Sequence, residues 1–128
     1  MFVTLAAGLA ATATQMPNAE RARILDVARE PVAKRLGKSV AFVVRTLERQ
    51  GDWAFLIAAM QDGSGRPISF TGTPLASAEA QGMISKDYAA LLRLNGGQWR
   101  VVDTAVGPTD VAWADWPEKH GAPKALFP

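Results

Sequence analysis

The chain has 128 residues, about the size of one ordinary domain, and 48% of them are hydrophobic against 20% charged, the balance of a globular protein rather than a disordered one. A formal net charge of +2 gives no strongly basic surface of the kind nucleic acids require. The absence of cysteine excludes disulfides, thiolate nucleophiles and Cys-ligated zinc or iron–sulfur centres.

Residues 1–17, MFVTLAAGLAATATQMP, carry no charge, and every Asp, Glu, Lys and Arg follows Pro17. An apolar, Ala-rich run followed by small residues looks like the hydrophobic and cleavage regions of a secretory signal, with Ala11-Thr12-Ala13 as a small-x-small site. A positively charged leader is missing, and a buried N-terminal helix is the competing reading. The export reading predicts a periplasmic protein whose mature chain starts near residues 14–18. Nothing later in the sequence approaches transmembrane length.

Asn18 is placed as an N-cap, with Glu20 as the first-turn acid. Ile24, Leu25, Ala28, Val32 and Leu36 then recur at three- and four-residue intervals, the mark of an amphipathic helix. Pro31 predicts a kink or break within it, and Gly37 its end. The basic residues Arg21, Arg23, Arg29, Lys34, Arg35 and Lys38 are interleaved with Glu20, Asp26 and Glu30, which reads as a solvated helix face and not a nucleic-acid surface.

Two strand-like runs follow, residues 39–50 and 53–60, joined by Gly51-Asp52 as a hairpin. The second run, WAFLIAAM, is apolar on both faces and predicts a central strand covered on both sides. Residues 61–67 read as loop, Ile68–Phe70 as a continuation of strand, and 71–87 as loop with one helical turn. A second hairpin is formed by YAALLRLN and QWRVVDTAV around Gly96-Gly97. Strict alternation places Tyr88, Ala90, Leu92 and Leu94 on one face of its first strand, and Trp99, Val101, Asp103 and Ala105 on one face of its second. Gly107-Pro108 ends that strand, and Thr109 or Asp110 is placed to cap a last helix over DVAWADWPEKHG, with an apolar tail docking after it.

The fold class is therefore α+β: residues 18–128 form an N-terminal helix packed on a curved four-stranded antiparallel sheet of two hairpins, with a short C-terminal helix. The order of elements, with NGGQWRVVD closing a late hairpin, resembles the cystatin-like and nuclear-transport-factor-2-like group of small α+β domains. The segments RILDVAREPVAKRLGKSVAFVVRTLERQGDWAFLIA, LLRLNGGQWRVVDTAVGPTDVAWADW and HGAPKALF together resemble a family of small exported bacterial proteins. That resemblance implies an exported cystatin-like domain and brings no catalytic residues with it.

Chemistry-bearing residues are few. His120 is the only histidine, and its position near the end of the last helix suits carbonyl capping better than general-base work. There is no G-x-S-x-G elbow, and DGSGRP lacks the ending of a phosphate-binding loop, so neither a cofactor nor a metal is expected. Asp103 breaks the apolar alternation of its strand, and a buried carboxylate needs a partner. Arg45, which interrupts the first strand, is its expected partner, as a structural ion pair or as a ligand-binding pair with Tyr88 and Trp99 beside it. Trp113 and Trp116 are expected to dock the last helix, or, if exposed, to form an aromatic platform for a partner. The leading expectation is non-enzymatic binding of an envelope protein, a peptide or a small ligand, with a homodimer through the sheet as one assembly. The alternative is a small isomerase- or dehydratase-type acid–base enzyme with its pocket in the hollow of the sheet.

Overall fold

The computed structural model describes residues 16–128, so the secretory signal expected over residues 1–17 lies almost wholly outside the described residues. Helix α1 (Asn18–Leu36) leads into strands β1 (Ala41–Gln50) and β2 (Trp53–Gln61); a crossover carrying the short helix α2 (Ala76–Ala80) leads to β3 (Asp87–Asn95) and β4 (Gln98–Val106). Helix α3 (Trp116–His120) and a single 3₁₀ turn at Lys124–Leu126 end the chain. The four strands form one antiparallel sheet in chain order, β1-β2-β3-β4, an open α+β sheet not closed into a barrel. No helix among the described residues is long and apolar enough to cross a membrane.

Helix α1 buries one row of side chains four residues apart, Ile24, Ala28, Val32 and Leu36. They meet a floor that is small in the central strands, with Ala54 and Ala58 on β2 and Ala90 on β3, all fully buried, so the helix can lie close over β3 and β4. Two expectations about α1 are corrected. Pro17, not Asn18, holds the N-cap position, and the Pro17 carbonyl accepts the Arg21 N–H at 2.9 Å. Pro31 does not break the helix; its ring is exposed on the side away from the sheet, so the carbonyl it leaves unpaired can face water.

Each hairpin turns where the sequence places it. Gly96 and Gly97 both adopt positive φ, 60° and 79°, the geometry a two-residue turn needs to match the strand twist. Strand β2 is covered on both faces, as its two-sided hydrophobicity predicts: Ala54, Leu56, Ala58 and Met60 point to α1, while Phe55 packs beneath the C-terminal segment with Trp53 and Ile57. The Ile68–Phe70 run is not strand; a lone bridge, Gln61 to Pro67, precedes it, and both apolar side chains plug the end of the helix-side core. Glu79 of α2 holds this crossover in place, accepting the Phe70 N–H at 3.1 Å and pairing with Lys86.

On the helix face the two edges of the sheet come within side-chain reach of each other. Arg49 of edge strand β1 lies 5.3 Å from the ring centroid of Trp99 on the opposite edge strand, β4, and pairs with Glu20 of α1. Further along, Phe42 of β1 stacks on Tyr88 of β3 across Ala58, with centroids 5.4 Å apart. The Tyr88 hydroxyl donates to the Ala28 carbonyl at 2.8 Å. The hollow of the sheet is thus filled by α1 and aromatic side chains.

Candidate functional site

The placement of the expected site residues turns on two bulges, one in each edge strand. In β4, Val101 opposes Leu92 and Asp103 opposes Leu91, leaving Val102 as the extra residue. Trp99 and Val101 therefore face α1, but beyond the bulge that face passes to Thr104 and Val106, and Asp103 emerges on the other side of the sheet. In β1, Val44 opposes Ala58 and Thr46 opposes Ile57, leaving Arg45 unpaired. The helix-facing positions shift from Phe42 and Val44 to Leu47 and Arg49. Sequence alternation cannot carry a face assignment across either point.

Arg45 and Asp103 consequently do not meet. Arg45 reaches across the small Ala59 position of β2 and pairs with Asp87 at the start of β3. Asp103 meets the C-terminal segment instead: its Oδ2 lies 2.7 Å from His120 Nε2 and 3.6 Å from Lys119 Nζ, and its Oδ1 accepts the Thr104 N–H at 2.8 Å. Partial burial pushes the Asp103 pKa up, but the His120 and Thr104 hydrogen bonds and the Lys119 charge outweigh it and hold the carboxyl below its usual range. With Asp103 ionised, His120 Nε2 must be the donor. The histidine therefore does more than cap its helix; it bolts α3 to the sheet.

Around that bolt the cover is aromatic. Phe55 is fully buried and touches three rings of the tail: Trp113 at 5.6 Å, Trp116 at 6.2 Å edge-on, and Phe127 at 4.7 Å between centroids. Trp116 is 4% exposed, so the two tryptophans dock the tail and do not form a platform. They do not share a helix either, because residues 112–115 form turns and α3 begins at Trp116, with Pro117 in its first turn where a missing N–H costs nothing. Neither Thr109 nor Asp110 caps it; Asp115 stands at the N-cap position without a side-chain bond.

The acid–base constellation expected from Arg45, Asp103 and Tyr88 is not assembled. Tyr88 is fully buried on the helix face, where desolvation drives its phenol pKa upward, and Asp103 lies on the opposite face. The His120 ring bonds to Asp103 and to no hydroxyl among the described residues, so no Ser–His–Asp arrangement is formed there. No group of three or more metal-ligating side chains converges among the described residues.

Two recesses lie beside the expected site residues, a shallow one of about 250 Å³ where Trp99 meets Arg23, Asp26 and Val27 of α1, and a larger one at Arg45. A cleft of about 490 Å³ runs along the outer edge of β1, walled by Arg45, Thr46, Leu47 and Glu48 on one side and Ala125 to Pro128 on the other. Leu47 points to the helix face while Thr46 and Glu48 point to the other, so the cleft opens onto the strand's backbone edge. No family model matches this chain, and neither a curated protein nor a solved structure matches it.

Proposed function

We propose that this chain is an exported domain of the cystatin-like kind its sequence resembles, and that it acts by binding an extended peptide segment of an envelope partner. The observation that supports this reading is the cleft on β1: it lies in the size range of ligand sites and exposes the edge of a strand. The outward N–H and C=O groups of an edge strand can pair with an added strand. The bulge at Arg45 divides the edge into two short regular stretches, of which Thr46 onward is the one beside the cleft, which suits a short segment. The walls are held before any peptide arrives, Arg45 by Asp87 and Phe127 by Phe55, so little ordering cost attends binding.

The test is an NMR titration of the protein with a panel of extended peptides that alternate apolar and polar residues. Saturable amide shifts at Arg45–Glu48 and Ala125–Phe127 are expected. Peptides that bind while leaving those amides unmoved, or a concentration-dependent homodimer that occupies the β1 edge, overturn the reading. The export half is tested separately: protein recovered from a bacterial envelope fraction should begin near residues 14–18, and an intact Met1 in the cytoplasm contradicts it.

A further inference from the structure

At the turn end of the sheet, on the face that the tail covers elsewhere, one cross-strand row runs Gln50, Trp53, Arg93, Arg100. Gln50, Arg93 and Arg100 are exposed, and Trp53 is half-buried under the Arg93 guanidinium, which lies 4.8 Å from its ring centroid. Arg93 and Arg100 are directly opposed partners on β3 and β4. Like charges in that relation repel, since opposed side chains leave their strands only about 5 Å apart.

Of the four other cations on the strands and their crossover, Arg66 has no carboxylate within 4.0 Å among the described residues and the other three have one. Arg45 has Asp87, Arg49 has Glu20 and Lys86 has Glu79. Neither Arg93 nor Arg100 has a carboxylate within 4.0 Å among the described residues, and residues 1–15 contain no acidic side chain. Glu48 of β1 and Asp52 of the first turn form no ion pair with either arginine. The one side-chain hydrogen bond of Arg100 among the described residues is a long one, donated to the Gln98 side-chain oxygen Oε1 at 3.4 Å.

We infer that Arg93 and Arg100 form a binding site for a phosphate group. Two guanidiniums on directly opposed strand positions bring N–H donors and a combined charge of two to one place, which matches a phosphate monoester carrying about −1.5 to −2 near neutral pH better than a single carboxylate. The Arg93 guanidinium carbon sits 4.8 Å from the Trp53 ring centroid, a contact that restricts its rotamers before the ligand arrives. The repulsion built into the unliganded row is relieved when the phosphate is bound. This site uses none of the residues of the β1 cleft and does not rest on the peptide reading.

The experiment uses the full chain with two probes. One is inorganic phosphate, followed by the Arg93 and Arg100 side-chain NMR resonances against chloride at matched ionic strength. The other is sedimentation with vesicles of phosphatidic acid in phosphatidylcholine against phosphatidylcholine alone. Saturable shifts with inorganic phosphate point to a soluble phosphate-bearing ligand; retention on phosphatidic acid vesicles alone points to a lipid headgroup; either supports the site. Arg93→Gln and Arg100→Gln should each weaken binding at least ten-fold. Arg100→Glu should abolish it and, by pairing with Arg93, raise the melting temperature of the free protein. No response beyond the chloride control in either arm, or binding that survives both Gln variants, overturns the inference.

Discussion

The two faces of this sheet are sealed by different physics. On the helix face, α1 lies over Ala54, Ala58 and Ala90 in a contact that is almost entirely shape, with the Tyr88 hydroxyl satisfied by a helix carbonyl. On the tail face, 22 residues after Val106 with only short helical turns are held by rings around Phe55 and by a hydrogen bond between Asp103 and His120. A long helix brings its own hydrogen bonds to the interface, whereas an irregular tail needs named anchors. The tail's hold is therefore concentrated in a few residues, and the two faces should fail under opposite conditions.

The largest effects are expected from neighbouring residues of β2 that point opposite ways. Leu56→Ala should cost about 2–5 kcal/mol and Phe55→Ala about 3–5 kcal/mol. Urea unfolding of Leu56→Ala should stay a single transition, while Phe55→Ala should lose tryptophan near-UV dichroism before it loses helix. Coincident transitions in both variants would erase the distinction between the faces. Gly107 is where the chain leaves β4 for the tail face, at φ 70°, and an added Cβ would stand 3.0 Å from both the Ile84 Cβ and the Ser85 carbonyl oxygen. Gly107→Ala should therefore cost about 1–3 kcal/mol by thermal denaturation, since a side chain is strained there on both counts.

Opposite pH limits sharpen the contrast. The Tyr88 phenol is raised by burial, so its contribution is whole below the unfolded value of about 10 and is lost as the pH climbs toward the folded one. It is the only tyrosine in the chain, so phenolate absorbance should appear together with loss of helix and not before it. The Asp103 carboxyl is lowered, so its contribution is whole above the unfolded value of about 3.9 and is lost as the pH falls through the folded one. Asp103→Asn should cost about 1–2 kcal/mol near neutral pH, allowing for partial exposure, and should flatten the acid limb of the stability curve. An unchanged acid limb would remove Asp103 from the account of the tail. Arg49→Ala should have the smallest effect, about 1 kcal/mol or less in a denaturant titration, since its pairing with Glu20 is only partly shielded from solvent.

The elements were largely legible in the sequence because their signals are local: the i, i+4 row of α1, the two-sided run of β2, the glycine pair of the second hairpin. What alternation missed was the facing of Asp103 and Arg45. Neither bulge contains Gly or Pro, yet each leaves a trace, since the apolar period of β1 steps from Val40, Phe42 and Val44 to Leu47, and β4 places Val101 beside Val102. The partners were harder still. His120 arrives 17 residues after Asp103 by a path no periodicity encodes, and Asp87 meets Arg45 only because Ala59 lies between them. The opposed arginines at 93 and 100 follow from the hairpin register once Gly96-Gly97 is read as the turn, so that juxtaposition could have been found.

The strand order has a consequence for how the chain folds. Because the sheet is a simple meander, its hairpins close between sequence neighbours, and the crossover before β3 is the one long loop within it. All four strands and α1 emerge from synthesis before the tail does. Until residues 107–128 follow, Trp53, Phe55, Ile57 and Leu91 form a bare apolar surface on an assembled sheet. The nascent domain is therefore stickiest just before completion, and a chain truncated after Val106 should collect in inclusion bodies while the full chain stays in solution.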